Sequence, residues 1–143
     1  MASLSEILDE KGHDVFRIEA DASVLEAVRL MVEANVGSLL VTDGGEITGI
    51  VTERDYLRRV ALEERPDQGA PVRAIVSSPL VVATADTTVD ECMALMTDRR
   101  IRHVPVVDAG EMVGIVSIGD LVKFTSQRQS FELKYLTEFI NAH

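Results

Sequence analysis

The sequence predicts a mixed α/β fold of the α+β kind: two β-α-β-β-α units, related by a pseudo-twofold axis and packed through their sheets, with a helix at either end. Three observations carry this expectation. First, Gly49-Ile50-Val51-Thr52-Glu53-Arg54-Asp55 returns as Gly114-Ile115-Val116-Ser117-Ile118-Gly119-Asp120, and residues 15–57 align without a gap onto 80–122 at the same offset of 65. Identities include Ala20/Ala85, Asp21/Asp86, Val24/Val89, Glu26/Glu91, Met31/Met96, Val41/Val106, Asp43/Asp108, Gly45/Gly110 and Gly49/Gly114. Second, a hydroxyl followed three residues later by an acid stands before runs of helical period, as Ser23…Glu26, Thr52…Asp55, Thr88…Glu91 and Ser117…Asp120. This spacing caps a helix N-terminus, the oxygen accepting from an otherwise orphaned amide. Third, Asp43-Gly44-Gly45-Glu46 separates two β-rich runs, which is a hairpin signal. A repeat of roughly fifty residues is too small to bury a sheet alone, so the two halves should share one core.

In chain order, Leu4, Ile7 and Leu8 recur at helical spacing and give a short amphipathic helix before Gly12. Val15–Ile18 is a short strand. Val24, Ala27, Val28, Met31 and Val32 then line one helix face, ended by Asn35-Val36-Gly37. The strands Leu39–Thr42 and Ile47–Val51 form the hairpin, and the helix opened by Thr52 carries Tyr56, Leu57, Val60 and Ala61. After a polar stretch from Glu63 to Pro71 the plan repeats, with Val89, Cys92, Met93 and Met96 as the second helical face. Phe131, Leu133, Leu136, Phe139 and Ile140 mark a terminal amphipathic helix. The domain reading is therefore a helical segment at 1–13, a first unit at 14–62, a linker at 63–71, a second unit at 72–127 and a final helix at 128–143.

Composition narrows the function classes. A formal charge of −10 opposes binding to nucleic-acid phosphate. No apolar run approaches the roughly 20 residues of a membrane span, and the first residues are acidic, without an apolar signal core. Cys92 is the single cysteine and cannot form an internal disulfide, which fits a reducing, cytoplasmic setting. It shares a helix face with Met93 and Met96 and so reads as core. His13, His103 and His143 lack ligand spacing, so no metal site is expected. A phosphate-cradling glycine-rich loop, a nucleophile with its base and a dinucleotide fingerprint are all missing from the pattern, so no catalytic residues are assigned.

The repeated glycine–apolar–x–Thr/Ser–x–x–Asp motif, each copy behind the same β-α-β-β pattern, resembles the tandem cystathionine β-synthase (CBS) domain pair, or Bateman module. The likeness spans roughly residues 4–127. Thr52–Tyr56 and Ile101–Val106 look most like small stand-alone two-domain members without a catalytic domain. The resemblance implies adenosine-containing ligands (AMP, ADP, ATP, NAD(H) or S-adenosylmethionine) in two clefts between the halves. It places Asp55 and Asp120 on ribose hydroxyls, and Thr52, Ser117, Arg54, Arg102 and His103 near ribose or phosphate. Val36, Gly37, Ser38, Ile50, Ile101 and Ile115 would form the base and cleft wall. The physical reading agrees with two of these roles: an ionised carboxylate is an acceptor suited to a cis-diol, and a helix N-terminus favours phosphate.

The halves are not equivalent. Arg99-Arg100-Ile101-Arg102-His103 stands where the first half has Ala34-Asn35-Val36-Gly37-Ser38, and Arg54 is matched by Gly119. The two clefts should therefore differ in affinity. Arg99 and Arg100 also read as solvated helix-end charges. The preferred function is a homodimeric regulatory module that senses an adenine nucleotide, the apolar faces of the first and last helices being natural dimer surfaces, and that acts on a partner protein not encoded here. A scaffold with vestigial clefts is the alternative, and a nucleotide-processing enzyme ranks behind both.

Overall fold

The computed structural model describes residues 2–62, 69–76 and 80–128. Within them the fold is mixed α/β, with five α-helices and two three-stranded sheets. The elements are α1 (Leu4–Lys11), β1 (Arg17–Glu19), α2 (Val24–Ala34), β2 (Ser38–Asp43), β3 (Glu46–Thr52), α3 (Glu53–Leu62), β4 (Ala83–Thr84), α4 (Val89–Arg99), β5 (His103–Asp108), β6 (Glu111–Ser117) and α5 (Ile118–Arg128). The final helix expected at 128–143, past its first residue, and most of the linker lie outside the described residues.

The chain forms two compact units, and they do not follow sequence order. One is continuous, Asp14–Val81. The other is discontinuous, joining Met1–His13 to Val82–His143. Each contains one sheet in which the first strand runs parallel to the second and the second antiparallel to the third. In the continuous unit the order is β1-β2-β3, and in the discontinuous unit β4-β5-β6.

Local chemistry explains the element boundaries. The Ser23 hydroxyl accepts from the Glu26 amide at 3.1 Å. At Thr88 the box is reciprocal: its hydroxyl accepts from Glu91 N at 3.1 Å, and its own amide donates to Glu91 Oε1 at 3.1 Å. Helices α2 and α4 stop alike, at Asn35 (φ 55°) and Arg100 (φ 56°), both left-handed. Asn tolerates that conformation, whereas Arg adopts it only against a steric cost. The hairpin turns need two positive φ values in succession. Gly44 and Gly45 supply them in the first (62° and 84°), and Ala109 and Gly110 in the second (50° and 79°). The register slips at the same place in both hairpins, between Val41 and Thr42 and between Val106 and Val107, so the local distortion is repeated with the sequence.

Packing shows what the leading segments do. In the continuous unit, Leu39, Val41 and Val51 pack with Ala27 and Met31 of α2 and with Val72, which belongs to a short 3-10 turn at Val72–Ala74. In the discontinuous unit, Val104, Val106 and Val116 pack with Cys92 and Met96 of α4, Leu121 of α5, and Leu4, Ile7 and Leu8 of α1. The two leading segments dock by equivalent hydrogen bonds. Leu4 N donates to Thr87 O, Ser5 N to Ala85 O and Val89 N to Ala2 O, while Val72 N donates to Ala22 O, Arg73 N to Ala20 O and Val24 N to Ala70 O. Each sheet is thus completed by a segment that precedes the other repeat in the chain.

One expectation is corrected here. The apolar face of α1 was expected to be a dimer surface, but Leu4, Ile7 and Leu8 are buried in the core of the discontinuous unit. Amphipathic spacing shows that a helix must bury a face without showing against what. Gly114 on β6 makes this docking possible, since a Cβ there would lie 2.5 Å from Leu8 Cδ2.

Candidate functional site

Both copies of the repeated motif fold into the same device. Thr52 ends β3 and Asp55 lies in the first turn of α3. The Thr52 hydroxyl accepts from Asp55 N at 3.2 Å, and Asp55 Oδ2 accepts from Thr52 N at 2.9 Å and from Thr52 Oγ1 at 3.1 Å. In the second copy Ser117 Oγ accepts from Asp120 N at 3.1 Å, and Asp120 Oδ2 accepts from Ser117 N at 2.8 Å. These are capping boxes with Asp in the place usually held by Glu. Asp is one methylene shorter, so each carboxylate is held close to the strand–helix junction.

The sheets bring further residues to these junctions. Ser38 pairs with Thr52 across the first hairpin, and Glu53 N donates to Gly37 O at 3.1 Å. His103 pairs with Ser117 across the second, and Ile118 N donates to Arg102 O at 2.8 Å. The fold therefore sets Gly37 and Ser38 beside Thr52 and Asp55, and Arg102 and His103 beside Ser117 and Asp120. Ser38 is buried and Arg102 exposed, with His103 between these extremes. Ile50 and Ile115 are buried, each on the strand just before its motif hydroxyl. Val36 and Ile101 pack against their own unit's core, so part of each serves structure. Arg54 is exposed on α3. Arg99 and Arg100 occupy the C-terminal end of α4, where a helix dipole favours cations.

The second junction also holds a lysine ammonium. In the discontinuous unit Lys11, the last residue of α1, places Nζ 2.5 Å from Asp120 Oδ2 and 2.6 Å from the Ile115 carbonyl. Burial works to raise the Asp120 pKa, but the Lys11 hydrogen bond, the Ser117 amide and the Lys11 charge outweigh it, and the carboxyl titrates below its ordinary value. Two residues beyond Lys11, His13 receives support from the Val113 carbonyl at 2.9 Å and from Asp9 at 3.4 Å, both of which raise its pKa. Lys11 also lines a groove of about 280 Å³ with Ile7, Asp120, Lys123, Phe124 and Gln127 among its neighbours.

Sequence reasoning did not single out Lys11, because it lies 109 residues from Asp120 and ends a helix that showed no sign of its destination. A different groove, of about 380 Å³, runs between α2 and α3 of the continuous unit and is mostly apolar, with Val32 and Leu57 exposed on it. Cys92 is buried, and desolvation pushes its thiol up to about 11. Among the described residues no three His, Cys, Asp or Glu side chains gather as a metal site, and no helix is long and apolar enough to cross a membrane.

Comparison with known proteins places this geometry. A family model described as CBS domain matches the chain twice, at residues 4–62 and 72–126. The CBS domain-containing protein CBSX3 of Arabidopsis thaliana, mitochondrial by its name, is 37% identical over 147 residues, covering 96% of this chain and 71% of that protein. The solved structure of the CBS-domain containing protein ATU1752 from Agrobacterium tumefaciens has a TM-score of 0.81 at 38% identity, covering 86% of this chain and 93% of that one. The CBS domain pair of protein MJ0100, solved with 5′-methylthioadenosine and S-adenosyl-L-methionine, has a TM-score of 0.77 at 24% identity, covering 90% and 98%.

Proposed function

Because the chain belongs to the CBS-domain family, which a family model matching residues 4–62 and 72–126 establishes, we propose that it is a regulatory module binding an adenosine-containing nucleotide and altering a partner protein in response. The observation that carries this reading is the twofold occurrence of an Asp at a strand–helix junction whose carboxylate accepts from the amide of the motif Thr or Ser and whose own amide donates to that residue's hydroxyl. A carboxylate already held in place loses little freedom on accepting hydrogen bonds from a ribose cis-diol. The adenosine compounds bound by the MJ0100 pair support the ligand class.

In this reading Asp55 and Asp120 take ribose, with Thr52 and Ser117 at ribose or phosphate. Arg54 and Arg102 supply positive charge and His103 a ring nitrogen for phosphate, and Val36, Gly37, Ser38, Ile50, Ile101 and Ile115 shape the wall. The module acts by binding and not by catalysis. The protein works as a homodimer in the cytoplasm, and the exposed Val32, Leu57 and Leu62 of the continuous unit offer a second copy an apolar surface. Ligand control requires that the nucleotide bind two arrangements of the module with different affinity.

A thermal-shift series with AMP, ADP, ATP, NADH and S-adenosylmethionine tests the reading on the wild type, Asp55→Ala and Asp120→Ala. A specific ligand at about one hundred times its Kd adds roughly 2.7 kcal/mol, which for a chain of this size is several degrees at about 2–4 °C per kcal/mol. One nucleotide is expected to raise the wild-type Tm by that amount and to lose its effect in one of the variants. Indifference of the wild type to all five would make the carboxylates helix caps only and favour a scaffold. Steady release of phosphate from ATP would instead point to an enzyme.

A further inference from the structure

We propose that Lys11 is an exchangeable partner of Asp120, holding that carboxylate as seen here and passing to a phosphate when a nucleotide's ribose takes Asp120. This rests on the nucleotide-binding reading above and adds to it a device for telling phosphorylated from unphosphorylated nucleosides. Three features of the discontinuous unit carry it.

The first is that Asp120 does not need Lys11 to stay in position. The Ser117 amide holds Oδ2 at 2.8 Å, and the Asp120 amide is bound to Ser117 Oγ at 3.1 Å. Loss of the ammonium therefore leaves the carboxylate aimed as before. The second is accessibility. The Lys11 and Asp120 side chains are 36% and 23% exposed, so the pair lies at the edge of the groove and water can accompany an exchange. Ion pairs this open are weak compared with buried ones. Lysine's ammonium sits on a four-carbon stem with three donors, and can reach a new acceptor without moving α1.

The third is the surroundings. Lys123 and Glu10 line the same groove as Lys11 and Asp120, beside the apolar surfaces of Ile7 and Phe124. A volume of about 280 Å³ is at the small end for ligand pockets, which run from roughly 300 Å³ upward, so a compact mononucleotide fits better than a dinucleotide. For a neutral nucleoside, engaging Asp120 takes away the anionic partner of Lys11 and leaves it the Ile115 carbonyl at 2.6 Å. For a nucleotide, the ammonium leaves one anion for another, and the net number of ion pairs is conserved. In a chain of formal charge −10, this local lysine pair supplies the cations that a phosphate requires.

Isothermal titration with AMP and adenosine as probes decides the matter, using the wild type, Lys11→Met and Lys11→Arg. Methionine keeps the apolar stem, and far-UV circular dichroism confirms that each variant is folded. The wild type should prefer AMP. In Lys11→Met, adenosine should bind at least as tightly as to the wild type and AMP about tenfold more weakly, the loss of one charge-assisted contact. Lys11→Arg should keep most of the preference and serves as the folded, charged control. A wild type that binds AMP, with an AMP-to-adenosine ratio unchanged in Lys11→Met, overturns the exchange and leaves the nucleotide reading intact. Binding of neither probe to the wild type overturns the exchange, and the nucleotide reading is then decided by the five-ligand thermal-shift series.

Discussion

Replacing Gly114 by Ala directs a methyl at a position 2.5 Å from Leu8 Cδ2 and 3.0 Å from Cδ1. Carbon pairs prefer about 3.5–4.0 Å, so one partner must move. Leu8 is fully buried in the core of the discontinuous unit, where overpacking costs about 1–3 kcal/mol. Alanine recovers about 0.5–1 kcal/mol over glycine within a strand, so the net loss should lie between about 0 and 2.5 kcal/mol. Leu8→Ala alone should cost about 2–5 kcal/mol through lost transfer energy and the cavity left behind. In the double variant the new methyl projects into that cavity, so the two losses should fall short of additivity by about 0.5–3 kcal/mol. Urea unfolding followed by far-UV circular dichroism measures all four proteins, since the chain has no Trp for fluorescence, and midpoint shifts at constant slope give the energies. Additivity within about 0.3–0.5 kcal/mol would mean that Leu8 does not lie over Gly114, and would refute the docking of α1 on β6.

Thr88→Ala removes the hydroxyl arm of the reciprocal box at α4 and should cost about 0.5–2 kcal/mol in the same urea assay; a midpoint equal to the wild type would show that the cap is not a net stabiliser. Asp120 titrates below its ordinary value, so its contribution to stability is present above the unfolded-state pKa of about 3.9 and is lost as pH falls through the folded value. Asp120→Asn should accordingly flatten the acid limb of the midpoint–pH curve, and an undiminished acid limb would remove Asp120 as its source.

Local features of this fold were legible because their causes are local. Ser23, Thr88, Thr52 and Ser117 act within three residues of themselves, and Gly44-Gly45 answers a turn's demand for positive φ. The repeat carried the β-α-β-β-α plan and its hairpin from one half to the other, including the second turn, where Ala109 takes a left-handed conformation. The strand expected at Val15–Ile18 appears at Arg17–Glu19, although Phe16 O still accepts from Leu40 N. Partnership at long range was not legible. Leu4, Ile7 and Leu8 announce a buried face, but the same spacing would serve either sheet or a second molecule. The candidate site divided along the same line. Residues within each motif, or one hairpin away from it, are joined by local pairing, while Lys11 arrives from a distant stretch that carries no motif.

The docking of α1 also bears on the order in which the molecule can assemble as it is made. Helix α1 leaves the ribosome about a hundred residues ahead of β6, whose Gly114 receives Leu8. At about 5–20 residues per second its apolar face waits several seconds or longer for that surface to be synthesised. The continuous unit suffers no such delay, because Val72 follows the strands it covers. Asp14–Val81 can therefore close while the remainder is still being translated. An early helix that is short and interspersed with acidic residues is easier to keep unaggregated over that interval, and the Leu4–Lys11 sequence, with Glu6, Asp9 and Glu10 among its apolar residues, has that character.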